Sequence, residues 1–173
     1  MADLPRMRAE YEAHGLLEAD LVADPMEQFD LWLHEAIAAG ATEPNAMVLS
    51  TVDAEGQPWS RYVLLKGLSE GGFEFYTNYT SAKGRHLSGS ARAAIVFGWL
   101  QLHRQVCVAG VVEQLPAEVS DEYFAVRPRG SQLGAWASAQ SSVLPDRTDL
   151  DLAGAVNSAT AGEAALVILD NCE

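Results

Sequence analysis

The sequence predicts a mainly β domain with flanking helices, its strands antiparallel and arranged as a barrel or sandwich. Three observations carry this. Short apolar runs recur between residues 47 and 115, bounded by Gly, Asp or Pro. Tight turns join consecutive runs, which is the mark of antiparallel pairing. Ahead of the first run, Met26, Phe29, Leu33 and Ile37 recur at three- and four-residue steps, a helical period. A length of 173 residues suits one domain.

In chain order, residues 5–21 are charged, with Arg6, Arg8, Glu10 and Tyr11 at helical spacing. Asp24-Pro25 reads as a helix start, Asp as cap and Pro at the first position. The face Met26, Phe29, Leu33 and Ile37 is expected to be buried, and Gly40 to end the helix. Met47 to Val52 reads as a strand, Asp53 to Gly56 as a turn, and Pro58 to Leu68 as the return strand. Gly71-Gly72 makes a second turn, and Phe73 to Thr77 a third strand. Ser81 to Ser88 reads as a short helix. Ala91 to Leu100 and Gln105 to Leu115 are further strands, joined near Leu102-His103. Pro116 to Val126 reads as a helix opened by Pro116 and broken by Arg127-Pro128-Arg129-Gly130. A segment Ser131 to Ser142 follows. From Asp149 to Gly162 the composition turns Ala-, Asp- and Ser-rich, and Ala164 to Leu169 reads as a short strand. The sharpest boundary falls near residue 148, giving a domain over 1–148 and an acidic tail over 149–173.

Charge narrows the function. Eleven Lys and Arg stand against 24 Asp and Glu, a net charge of −13. So acidic a chain is not expected to bind nucleic acid or an anionic membrane. Any anion must be held by a local group of basic residues. Neither Cys107 nor Cys172 has metal-ligand spacing, and no metal site is expected. Cys107, within Val106-Cys107-Val108, reads as a buried core thiol. A chain of this size with two cysteines fits a reducing compartment. The first fifteen residues lack the apolar stretch of a signal peptide. A cytoplasmic location is therefore expected.

The basic residues collect at strands and turns. Arg61 and Lys66 bracket Tyr62 to Leu65, on opposite faces if the strand is regular. Lys83 lies at the start of a short helix, where backbone N–H groups favour phosphate. Arg127 and Arg129 flank Pro128. Each alone reads as a solvated surface charge, and together they read as two anion sites. Tyr76-Thr77 offers hydroxyls at a strand end. Gln105 either meets a ring edge or faces water from an edge strand. Gln140, Ser141 and Ser142 offer short polar groups. Trp32, Trp59, Trp99 and Trp136 read as core, and the histidines as structural or surface.

A longer pattern adds to this reading. Arg8-x-Glu10-Tyr11, Pro44-Asn45-Ala46-Met47, Arg61-x-Val63-Leu64-Leu65-Lys66, Phe75-Tyr76-Thr77-Asn78, Ser81-x-Lys83 and Arg104-Gln105-Val106 occur in this order. Tyr123-Phe124-x-x-Arg127-Pro128-Arg129-x-Ser131-Gln132 and Gly134-Ala135-Trp136-x-Ser138-x-Gln140-Ser141 follow. The string, over about residues 6–145, resembles the pyridoxine/pyridoxamine 5′-phosphate oxidase family. The resemblance implies an FMN-binding split β-barrel of Greek-key type, a homodimer with flavin at the interface. It implies oxidation of pyridoxine or pyridoxamine 5′-phosphate to pyridoxal 5′-phosphate, with oxygen as acceptor. FMN would be held by Arg61, Val63, Leu64, Lys66, Tyr76, Thr77, Lys83, Gln105, Gln140 and Ser141. Substrate would meet Arg8, Tyr11, Lys66, Tyr123, Arg127 and Ser131, with Arg8 and Tyr11 at the catalytic centre.

Three departures stand beside the resemblance. Ala82 precedes Lys83 where the family often has Arg, removing one expected phosphate contact. Glu43 stands where Asp is common. The family's Trp-Gly-Gly, Trp-Gln-Gly and Arg-x-His segments do not occur, so the barrel is expected to be incomplete at its C-terminal end. The alternative expectations are a non-catalytic FMN- or phosphate-binding module and an inactive truncated family member.

Overall fold

The computed structural model describes residues 16–69, 72–137 and 140–142. After a single 3-10 turn at Glu18–Asp20, helix α1 spans Pro25–Ala38. Asp24 caps it, Oδ1 accepting from Met26 N at 2.8 Å, with Pro25 at the first position as expected. The buried face differs from expectation. Phe29 and Ala36 are buried, while Ile37 is exposed. Two turns of 3.6 residues carry the stripe from Phe29 to Ala36, and Ile37 rotates past it.

Strands β1 (Ala46–Val52) and β2 (Pro58–Leu64) form a hairpin in register from Ala46↔Leu64 to Val52↔Pro58. Asp53 organises its turn. Its Oδ1 accepts from Glu55 N and Gln57 N, and its Oδ2 from Trp59 Nε1 at 2.8 Å. Gly56 takes the left-handed conformation at φ 85°, which a side chain would strain.

The expected single return strand breaks after Leu64. Leu65 N turns to Asn45 O, and Lys66 N to Glu74 O. The chain thereby leaves the first sheet for a second, formed by β3 (Gly67–Ser69) and β4 (Gly72–Glu74). The expected third strand is correspondingly shorter. Helix α2 (Ala82–Gly89) follows, then β5 (Arg92–Trp99), a 3-10 turn at Leu100–Leu102 and β6 (Arg104–Val111). His103 joins the last two in the left-handed region at φ 50°. Helices α3 (Ala117–Val126) and α4 (Arg129–Ala137) close the described chain, with Pro116 as the cap of α3 rather than inside it.

The main sheet runs β2-β1-β5-β6, every pair antiparallel. Strand alternation gives it two unlike faces. The inner face carries Met47, Leu49, Ile95, Phe97 and Trp99, all buried, against Phe29 of α1. The Phe29 ring lies 4.7 Å from Phe97 and 4.8 Å from Phe73, which ties α1 to both sheets. Trp99 Nε1 donates to Pro44 O at 2.9 Å, as a buried indole requires. On the outer face Tyr62, Val48, Val96 and Cys107 line up across the register. Cys107 is therefore exposed, not a core thiol: Val106 and Val108 take the core-facing positions on either side. Of the four tryptophans, Trp99 is buried and Trp32 packs against the core, but Trp59 and Trp136 are exposed. Among the described residues no helix is long and apolar enough to cross a membrane.

Candidate functional site

The residues singled out in the sequence fall into three places. The first lies where α2 packs on β1. Ser81 caps α2, its Oγ accepting from Gly84 N at 3.3 Å. Lys83, one turn in, is 1% exposed, so its ammonium is held inside the structure. Gly84 sits against the carbonyls of Asn78 and Tyr79; a Cβ there would stand 2.7 Å from Tyr79 C and 2.8 Å from Asn78 O. That contact sets how closely the first turn of α2, which carries Lys83, packs on the turn before it. Arg61 reaches along the inner face of β2. Its Nη1 donates to Thr51 Oγ1 at 2.7 Å, Trp59 O at 3.1 Å and Leu49 O at 3.2 Å. Val63 and Leu64 finish the same strand, Val63 packed against the core. Lys66 lies beyond the end of β2 and is exposed, so strand alternation does not relate it to Arg61.

The second place joins the stretch after β4 to α3 and α4. Tyr76 and Tyr123 stack face to face, centroids 3.8 Å apart and planes within 6°. Partial burial, followed by the charge of Glu74, pushes the Tyr76 phenol above its ordinary range, so it stays a hydrogen-bond donor. Thr77 follows it, half-buried. Arg127 ends α3 in extended geometry, as the residue before Pro128 must. Its guanidinium lies 6.0 Å from the Tyr123 ring and 5.9 Å from Phe124. The Gln132 amide ties the corner together, donating to Phe124 O at 3.1 Å and Arg127 O at 3.0 Å. Ser131 sits in the first turn of α4.

The third place is split. Gln105 is exposed on the outer face of edge strand β6, its Nε2 donating to Cys107 Sγ at 3.2 Å. The sequence alternatives of ring contact and water-facing edge residue are both compatible with that position. Gln140 buries its Oε1 with no hydrogen-bond partner among the described residues. Ser141, beside it, holds φ 60°. Arg8 and Tyr11 lie outside the described residues, as does the chain after 142. No cluster able to hold a metal occurs among the described residues.

These donors fit the flavin mononucleotide that the resemblance implies. A buried ammonium and an anchored guanidinium suit a phosphate ester. The orphaned Gln140 Oε1 is an acceptor, which a flat ring with an N–H edge would satisfy. Arg61 and Gln105, however, stand on opposite faces and at opposite edges of one sheet. A flat ligand lying on one face meets only one of them from a single chain.

Two residues escaped the sequence reading. Thr51 is a buried polar side chain at a position where strand alternation calls for an apolar one, and that was the available signal. Gln132 was read only as part of a motif; its role as a clamp on the α3–α4 corner depends on the helix break.

Residues 33–155 match the family model described as pyridoxamine 5′-phosphate oxidase. The chain is 52% identical over 151 residues to the pyridoxine/pyridoxamine 5′-phosphate oxidase of Cupriavidus necator, covering 87% of this chain and 71% of that one. It is 54% identical over 148 residues to the protein of the same name from Synechocystis sp., covering 86% and 69%. Among solved structures it resembles PhzG from Burkholderia lata, crystallised with tetrahydrophenazine-1-carboxylic acid. That match has a TM-score of 0.79 at 28% identity, over 89% of this chain and 76% of that one. A pyridoxamine 5′-phosphate oxidase-related, FMN-binding protein from Nostoc punctiforme shares the fold, with a TM-score of 0.59 at 14% identity over 76% of this chain and 73% of that one.

Proposed function

The chain belongs to the pyridoxamine 5′-phosphate oxidase family of split-barrel oxidoreductases, and on that premise we propose that it binds FMN and oxidises pyridoxine or pyridoxamine 5′-phosphate to pyridoxal 5′-phosphate. The observation that supports this reading is that basic residues gather in two separate places, Arg61 on β2 and Lys83 on α2 near the α2–β1 contact and Arg127 at the α3–α4 corner. A phosphorylated cofactor and a phosphorylated substrate need one each. When bound, FMN supplies the hydride acceptor for the C4′ carbon of the substrate, and oxygen takes up the electrons as hydrogen peroxide.

The chain's own residues bind and orient. Lys83 and Arg61 hold the cofactor phosphate by charge-assisted hydrogen bonds. Val63, Leu64 and Lys66 line the cofactor along the end of β2, with Tyr76 and Thr77 beside it. Gln105, Gln140 and Ser141 meet the ring edge. Lys66, Tyr123, Arg127 and Ser131 take the substrate phosphate, and Arg8 and Tyr11 contact its ring. Fixing two rings face to face is the larger part of the task, because orientation alone lowers such barriers by several kcal/mol. The placement of Arg61 and Gln105 on opposite faces supports a site completed by two chains, hence a homodimer.

Relatedness to PhzG raises a second substrate class, a partly reduced tricyclic acid. Identity favours the first: 52–54% to the B6-named relatives against 28% to PhzG. Purified protein reconstituted with FMN is expected to be yellow and to release peroxide from pyridoxine or pyridoxamine 5′-phosphate. Yellow protein that produces no peroxide from either, or does so only with a reduced phenazine acid, overturns the substrate assignment. Colourless protein with no FMN affinity overturns the flavoprotein reading too.

A further inference from the structure

Thr51 stands between Arg61 and a histidine for which the proposed reaction has no use. Its neighbours along the inner face of β1 are Met47 and Leu49, and its side chain is 1% exposed. A valine would fill the same space with no hydroxyl to satisfy, so the oxygen needs a reason. It accepts from Arg61 Nη1 at 2.7 Å and lies 3.0 Å from His86 Nδ1.

The direction of these bonds follows from the groups. Arginine only donates, so the Thr51 oxygen is the acceptor in the first bond. The hydroxyl proton is then available to His86 Nδ1, which accepts it when the ring carries its own proton on Nε2. His86 is placed for this by its helix. It lies three residues after Lys83, on the same side of α2, and α2 packs on β1. Its ring also lies 6.5 Å from that of Trp59, whose Nε1 donates to Asp53 Oδ2.

We propose that His86, acting through the Thr51 hydroxyl, is a positioning residue for Arg61. With the hydroxyl proton committed to His86, the Thr51 lone pairs face the guanidinium and fix its plane. Arg61 Nη1 donates to Leu49 O, Thr51 Oγ1 and Trp59 O, and the bond to Thr51 Oγ1 is the shortest of these three. The inference rests on the reading of Arg61 as a contact to the cofactor phosphate.

The test compares FMN with riboflavin, which lacks the phosphate, by flavin-fluorescence titration of the full chain. Thr51→Val and His86→Leu are expected to weaken FMN about tenfold and leave riboflavin unchanged, the scale of one hydrogen bond to a charged group. His86→Asn places an amide oxygen where Nδ1 was and is expected to stay within about twofold of the parent. Equal weakening of both flavins, or a His86→Asn variant as damaged as His86→Leu, overturns the proposal. If the parent chain binds FMN no better than riboflavin, the phosphate reading of Arg61 fails instead. Nitrogen NMR of the ligand-free protein then decides the relay itself. His86 is expected to hold its proton on Nε2 and to lose that preference in Thr51→Val. A proton found on Nδ1 overturns it.

Discussion

The two proposed anion sites are built in different ways. Beneath α2, Lys83 is enclosed and Arg61 is tied to Leu49, Thr51 and Trp59 on two paired strands. At the α3–α4 corner, Arg127 is half-buried and rests on aromatic rings, and Tyr123 is held by stacking on Tyr76. Hydrogen bonds to a sheet fix direction to within tens of degrees, whereas ring stacking tolerates sliding. The first arrangement suits a ligand that stays, the second one that comes and goes with each turnover. The same charge serves both, and the surrounding structure sets how firmly it is aimed.

Charge removal at the enclosed site breaks this contrast most severely. Lys83→Met is expected to lower FMN affinity about 100-fold or more, read as flavin retained through purification. A variant that keeps its flavin would show that the buried ammonium serves only the fold. Arg127→Ala sharpens the contrast from the other side. KM for the phosphorylated substrate is expected to rise about tenfold while the FMN dissociation constant stays put. Parallel loss of both ligands would mean that the two sites are one.

The smallest effect concerns the hairpin that carries Arg61. The Trp59 indole and the Gln57 amide hold the Asp53 carboxyl below its ordinary 3.8. A depressed carboxylate stabilises the fold fully above its unfolded pKa and loses that contribution as pH falls through the folded one. The melting temperature of the parent chain is thus expected to fall more steeply below about pH 4 than that of Asp53→Asn. Identical slopes would remove Asp53 from the acid response.

Much of the fold was legible because the strands obey a period of two and the turns carry their own chemistry. Asp24-Pro25, Asp53 with Gly56, and the Arg127-Pro128 break lie where the sequence puts them. The strand expected over residues 58–68 was not divided, because its apolar run continues through Leu65 while the hydrogen bonds change partner. Cys107 was misplaced for a related reason. An apolar run on an edge strand reads as buried, yet alternation gives the core only Val106 and Val108. Arg61 and Lys83 were found as cations, but their enclosure was not, since burial of a charge depends on which helix lands on which strand. Thr51 and His86 are 35 residues apart and meet only when α2 docks.

The contact at Gly84 has a consequence for how this segment can vary. Every other residue brings a β-carbon into the Asn78 and Tyr79 carbonyls, so relief requires the first turn of α2 and the 78–79 turn before it to move apart. That motion would displace Lys83, which precedes Gly84 in the same turn. In a saturation library selected for flavin retention, neighbouring Arg85, which is exposed, is expected to accept many codons. Position 84 is expected to return glycine alone, a single-letter gap in an otherwise permissive stretch of helix.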